Sequence, residues 1–226
     1  MAFLEEYFNF LLNYNNENTA YKAMAFVKVI IRQAINQDVI ENNPFDNFII
    51  RKRVGKGVYL SKDELQKIYK LFRTTSNMKI KNVARYYLFS CYTGLHYSDI
   101  KALKFENIYD GFIELKMHKT KDYAKIALNK KAKELLSKED VIYVFKVYCN
   151  QKTNEYLHQI EGLCKIQKNL TFHSSRHTFA TMGISLGIPI ELISKILGHH
   201  DLKTTQIYSE IIDDVIVKQM NKFDSL

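Results

Sequence analysis

Apolar side chains recur three and four residues apart from Phe3 to Leu12, which predicts a short opening helix. The polar break Asn13 to Asn18 follows, and Asn18 or Thr19 is placed to cap the next helix. That helix is expected to run to about Gln37 and to bury a stripe of Ala23, Phe26, Val27, Ile30, Ile31 and Ala34. Lys22, Lys28 and Arg32 lie off the stripe. Asn43-Pro44 stops the pattern, because the residue ahead of a proline disfavours the α region. These residues predict a small helical unit over 1–50.

Residues 51–59 interrupt the periodicity with Arg51, Lys52, Arg53, Lys56 and two glycines, which predicts a basic linker. A second unit, 60–226, opens on Ser61 with Glu64 three residues later, a capping box for a helix over Lys62–Phe72. A longer helix from near Ile80 to Tyr92 should end at Gly94, with a short one over Tyr97–Leu103. The period then shortens to two. Phe112–Met117 and Ala124–Leu128 flank Lys119-Thr120-Lys121-Asp122, the pattern of a β-hairpin with a basic tip. Helical spacing resumes beyond it. Pro189 suits the first turn of a helix over Ile190–Leu197, and Gly198 closes that helix. The expected fold is mainly α with a small antiparallel β-sheet.

Composition narrows the function class. Hydrophobic residues make up 46% and charged residues 25% of the 226, as in soluble globular proteins. No apolar run reaches membrane-spanning length, and the acidic N-terminus lacks the order of a signal peptide, so a cytoplasmic protein with no membrane partner is expected. Lys and Arg number 33 against 24 acids, a net charge of +9 that favours a polyanionic partner or serves as a solubilising surface. The linker cations and Lys121 could track phosphates, or form a solvated face. Cys91, Cys149 and Cys164 form neither a disulfide framework nor a zinc pattern, and Cys91 sits in an apolar run suited to a core.

The chemistry concentrates in Thr171–Ser209. Four of the seven histidines and Arg176 fall within residues 173–200, followed by Tyr208. A metal reading pairs His173 with His177, but Ser174 stands where a metalloprotease carries its glutamate, and Arg176 would set a positive charge beside the ion. A structural reading covers His177 or His200 well, yet leaves Arg176 costly to bury without an anion. A phosphodiester reading uses the whole set. Phosphoryl transfer spreads negative charge over non-bridging oxygens and needs fixed cationic donors such as Arg176. Histidines can move protons, a tyrosine hydroxyl can attack phosphorus, and Lys119 on the hairpin tip could protonate a leaving oxygen.

At this point the chain resembles a known family. His173-Ser-Ser-Arg176-His177, then Leu197-Gly-His199-His200, then Thr-Thr-Gln-Ile-Tyr208 is similar to the tyrosine recombinase signature, and nearest to integrases of Bacteroides-group mobile elements. Thr93-Gly94-Leu95 resembles the family's first active-site turn, and His118-Lys119-Thr120 its hairpin lysine. Residues 1–50 resemble its helical core-binding domain, and 60–226 its catalytic domain.

The resemblance implies that Tyr208 forms a 3′-phosphotyrosyl link, that Arg176 and His199 hold the scissile phosphate, and that His173 is a base or a phosphate donor. Lys119 would be the general acid, with Lys121 the neighbouring alternative. It implies no cofactor or metal. The two domains would clamp double-stranded DNA in a bacterial, nucleoid-associated setting. An amphipathic C-terminal segment (Ile211, Ile212, Val215, Ile216, Met220) would dock on a neighbouring protomer of a tetrameric synapse, or pack in cis.

The chain departs from the pattern twice. His96 stands where the family usually has an arginine, with Arg85 a candidate substitute cation, and these residues leave no room for the arm-binding domain that integrases often carry, as expected of either a truncated or a naturally short chain. His96 motivates an alternative, a catalytically silent DNA-binding protein on the same fold. A type IB topoisomerase fits the resemblance less well.

Overall fold

The first two helices, α1 (Ala2–Tyr14) and α2 (Glu17–Asn36), are separated at Asn15–Asn16, where the Asn16 side chain accepts from the Thr19 amide at 3.0 Å. The computed structural model describes residues 2–48, 57–136 and 142–198, and the chain divides into two compact units, Met1–Gly55 and Lys56–Leu226. The helix cap is thus Asn16, not the expected Asn18 or Thr19. The buried stripe is also rotated from the expected one. Ala20 and Met24 are buried, with Val27 and Ile31 packing beside them, while Phe26 is 67% and Ile30 48% exposed. Among the described residues of this unit, α1 and the turn at Phe45–Phe48 cover α2, which buries a narrow row at four- and three-residue steps. Leu4, Met24 and Phe45 form the small core. The sequence-predicted linker cations Arg51, Lys52, Arg53 and Lys56 lie outside the described residues.

The second unit is built around α4 (Met78–Thr93), ten of whose residues are buried, among them Tyr86, Tyr87, Leu88 and Phe89. Every residue from Tyr86 to Cys91 is buried, so this half of the helix is enclosed on all sides, as at the centre of a helical domain. Packed around it are α3 (Lys62–Thr74), α6 (Lys130–Leu135), α7 (Asn150–Cys164) and α8 (Ser174–Ser185). The capping box at α3 is present, with Ser61 accepting from the Glu64 amide and Glu64 from the Ser61 amide. Cys91 is buried and free, as expected for a core thiol. After α5 (Tyr97–Ala102), strands β1 (Ile108–Tyr109), β2 (Phe112–Lys116) and β3 (Tyr123–Ala127) form an antiparallel sheet in sequence order. Phe112 pairs with Ala127 and Lys116 with Tyr123, so residues 117–122 form the hairpin loop. Ile113, Ala124 and Ile126 face the core. The last described helix, α9 (Ile190–Leu197), lies against α8 and β3, with Pro189 at its cap and Gly198 ending it at φ 64°.

Candidate functional site

Three elements converge where α4 ends. Gly94 terminates α4 in the left-handed conformation, φ 73°, and a Cβ there would stand 2.8 Å from the Phe179 ring and 3.1 Å from Leu197. Glycine is therefore required for both backbone and space. The close approach brings the end of α4, the start of α8 and the end of α9 together around Arg176. The residue is 8% exposed, and its guanidinium donates at 2.6 Å to the Gly94 carbonyl and at 2.6 Å to the Leu197 carbonyl. Both carbonyls lie at helix C-termini, where backbone oxygens lack intrahelical partners and the helix dipole is negative. The expected cost of burying this arginine is thus met by two helix ends.

Hydroxyl groups fasten the same seam. Ser175 and Ser90 lie 2.6 Å apart, and Ser90 donates on to the Leu95 carbonyl at 2.7 Å. Ser174 and the Tyr87 hydroxyl are 2.7 Å apart. All four side chains are buried, in a seam where an unpaired hydroxyl would be costly. The start of α8 is thereby fixed against α4.

Around this seam lie three imidazoles. His173 caps α8, and its ring centroid is 4.6 Å from that of His177 and 6.2 Å from that of His96. Burial and Arg176 lower the pKa of His177. Burial, Arg176 and Lys119 lower that of His96 against an opposing pull from Asp99. His173 is pushed down to about 4, first by desolvation, then by His177, Arg176, His96 and Lys119. His173 nonetheless remains on the exposed rim, where water screens part of these repulsions. The first turn of α8 holds no carboxylate, so helix dipole, arginine and lysine superpose into one positive field suited to an anion. Gly57 lies directly against His177: a Cβ on Gly57 would stand 2.7 Å from its ring.

The hairpin loop forms the opposite wall. Asp99, 3% exposed, accepts from the His118 amide at 2.8 Å and ties the loop to α5. A Cβ on Gly198 would stand 2.7 Å from the Met117 sulfur and 3.2 Å from the Thr120 hydroxyl, so the end of α9 rests on the same loop. Lys119 and Lys121 are exposed there, Lys121 with φ 65°. Lys119 is close enough to depress both His96 and His173, whereas neither shift involves Lys121.

Of the residues singled out from the sequence, His96, His173, Arg176 and Lys119 therefore come together. Arg85 goes elsewhere: its guanidinium carbon is 5.7 Å from the Phe72 ring centroid, and it lines a separate cavity with Lys79, Lys81 and Lys146. His199, His200, Tyr208 and the amphipathic segment after it lie outside the described residues. The described residues hold no cluster of three or more His, Cys, Asp or Glu that could bind a metal ion. Sequence reasoning missed Asp99, Ser90, Ser174, Ser175 and Tyr87. An aspartate two residues into a six-residue helix is the one signal that pointed to Asp99.

Comparison with known proteins agrees with this fold. The model of the phage integrase family matches residues 58–213, and that of the phage integrase SAM-like domain matches residues 1–54. A tyrosine recombinase of Pseudothermotoga lettingae is 27% identical over 199 residues, covering 80% of this chain and 66% of that protein. A structure of a lambda integrase dimer bound to a COC′ core site superposes with a TM-score of 0.72 at 20% identity, covering 93% of this chain and 78% of that one. The Tn1549 transposon integrase in complex with transposon right end DNA gives 0.77 at 15% identity, covering 98% and 84%. At these identities the structural likeness is one of fold.

Proposed function

The chain belongs to the phage integrase family, and on that premise we propose that it is a tyrosine recombinase that cuts and rejoins duplex DNA at specific sites. The observation that carries the reading is Arg176, buried and donating to two helix-end carbonyls, with His96, His173 and Lys119 close enough to act on one another around it. Two carbonyl bonds fix the plane of the guanidinium before any ligand arrives, which is what a phosphate clamp requires. Tyr208 attacks the scissile phosphorus, forms a 3′-phosphotyrosyl bond and releases a 5′-hydroxyl. Arg176 and His199 hold the non-bridging oxygens. His173, whose depressed pKa keeps it neutral at pH 7, accepts the tyrosine proton or donates to the phosphate. Lys119 delivers a proton to the departing 5′ oxygen. The phosphotyrosine conserves the energy of the broken bond, so the reaction needs no nucleotide cofactor or metal.

Arg51, Lys52, Arg53, Lys56 and Lys121 track the DNA backbone, and other protomers join on DNA as a tetrameric synapse through the C-terminal segment. The lambda and Tn1549 structures, both determined with DNA, support the choice of partner. A catalytically silent DNA-binding protein is the second reading, favoured by His96, whose lowered pKa leaves it uncharged where the family usually has a cation.

The deciding experiment offers the protein a nicked core site from the element's own ends and scores covalent protein–DNA adduct on a denaturing gel. The expected result is an adduct that disappears in Tyr208→Phe while DNA affinity is kept. Intact binding with no adduct from the unaltered chain would select the silent reading.

A further inference from the structure

The ring at position 96 is held by the helix it caps. His96 is the N-cap of α5; its Nδ1 accepts from the Ser98 amide at 3.4 Å and lies 3.1 Å from the Ser98 hydroxyl. An amide nitrogen can only donate, so Nδ1 is an acceptor, and the hydroxyl sharing it must donate as well. A neutral imidazole whose Nδ1 accepts carries its proton on Nε2. That Nε2–H makes no hydrogen bond among the described residues.

We propose that Ser98 is a positioning residue for DNA cleavage: it fixes His96 as the Nε2–H tautomer, so that a neutral ring donates to a non-bridging oxygen of the scissile phosphate. The proposal rests on reading the site as one that cleaves phosphodiesters. Every element packed around His96 bears on its state. Arg176 and His173 face it from α8, Lys119 from the hairpin loop, and Asp99 from α5 itself. Burial and the two cations disfavour the imidazolium, and Asp99 opposes them. A site that keeps this ring neutral cannot use its charge; it can use its N–H. A ring free to exchange tautomers would spend part of its time with a bare nitrogen toward the phosphate, lone pair against lone pair. Tethering Nδ1 removes that state. This account also explains how a histidine can serve where a longer, permanently charged side chain usually stands.

The test combines Ser98→Ala and Ser98→Thr with the unaltered chain and with His96→Arg, scoring adduct on the nicked core site. With His96 present, Ser98→Ala is expected to slow adduct formation about fivefold, the worth of one ordinary hydrogen bond. Ser98→Thr should restore the rate. In His96→Arg the loss of the hydroxyl should have no effect, since arginine has no tautomer to fix. Equal losses in both backgrounds would make the role of Ser98 purely structural and overturn the proposal. Nitrogen-15 NMR of labelled histidine in the free protein reads the tautomer without any reaction. Nε2–H is expected to dominate for His96 near neutral pH and to lose part of that dominance in Ser98→Ala, where the 3.4 Å amide contact alone holds Nδ1. An Nδ1–H or protonated ring in the unaltered protein would also overturn it. No adduct from the unaltered chain would remove the recombinase reading and this proposal together, and the NMR result distinguishes that failure from a wrongly held ring.

Discussion

Arg176 and Lys119 bring the same charge to one pocket on opposite terms. The arginine is 8% exposed and gripped by the ends of two helices, whereas the lysine rides an exposed loop joined to the rest by the Asp99–His118 bond and by the packing of Met117 and Thr120. The difference fits the role proposed for each. Charge developing on a phosphate is best met by donors already in place, because a donor that must reorient adds to the barrier. A proton donor has to follow a leaving oxygen as it moves, and an exposed lysine on a short loop can do so. The buried wall should therefore be paid for in stability and the loop in rate alone.

That contrast can be broken or sharpened by measuring both quantities in one set of variants. Gly94→Ala is expected to have the largest effect on stability. It places a side chain at φ 73° and drives a methyl into Phe179 and Leu197, so denaturant unfolding should show a loss of about 2–4 kcal/mol. Ser90→Ala comes next. It removes the partner of the Leu95 carbonyl and of Ser175, at about 1–3 kcal/mol in the same measurement. A smaller, continuous effect comes from pH. His96, His173 and His177 all resist protonation when folded, so the unfolded chain binds more protons below its ordinary histidine pKa. Thermal stability of the free protein should fall as pH drops from 6.5, the ordinary histidine value, toward about 4, where folded His173 titrates, and His173→Asn should flatten the slope. Lys119→Ala should leave stability within about 0.5 kcal/mol, yet slow adduct formation on the order of 10². A stability loss from Lys119→Ala as large as that from Ser90→Ala would erase the distinction between wall and loop.

The wall and the loop also differ in how plainly the sequence announces them. The hairpin shows as alternation on both sides of Lys119–Asp122, and strand pairing from Phe112 to Ala127 matches it closely, because a two-residue period leaves little choice of face. The α3 capping box and Gly94 are equally legible, being local devices with fixed spacing. The seam is not. Ser90 and Ser175 are 85 residues apart, and a serine within Leu-Phe-Ser-Cys reads only as a tolerated polar residue until α8 is laid across α4. Arg176 raised the right question, what could balance a buried cation, but helix-end carbonyls have no signature in the side-chain sequence. The stripe on α2 went wrong for the same kind of reason. Periodicity gives a helix face to within a wide arc, and the narrow row around Met24 is chosen by what happens to cover it. Ser98 was visible only as the second residue of a short helix, and its hold on His96 needed the coordinates.

The central claim, that the latched Arg176 meets the charge of a scissile phosphate, is tested most directly by taking that charge away. Adduct formation should be compared between the unaltered chain and Arg176→Ala on two core sites, one with a normal scissile phosphate and one with a neutral methylphosphonate in its place. On the phosphate, loss of the guanidinium is expected to slow the reaction on the order of 10²–10³. On the methylphosphonate the same substitution should cost at least about tenfold less, because little charge is left for the arginine to meet. An equal deficit on both substrates would mean that Arg176 only braces α4 against α9, and would contradict the account.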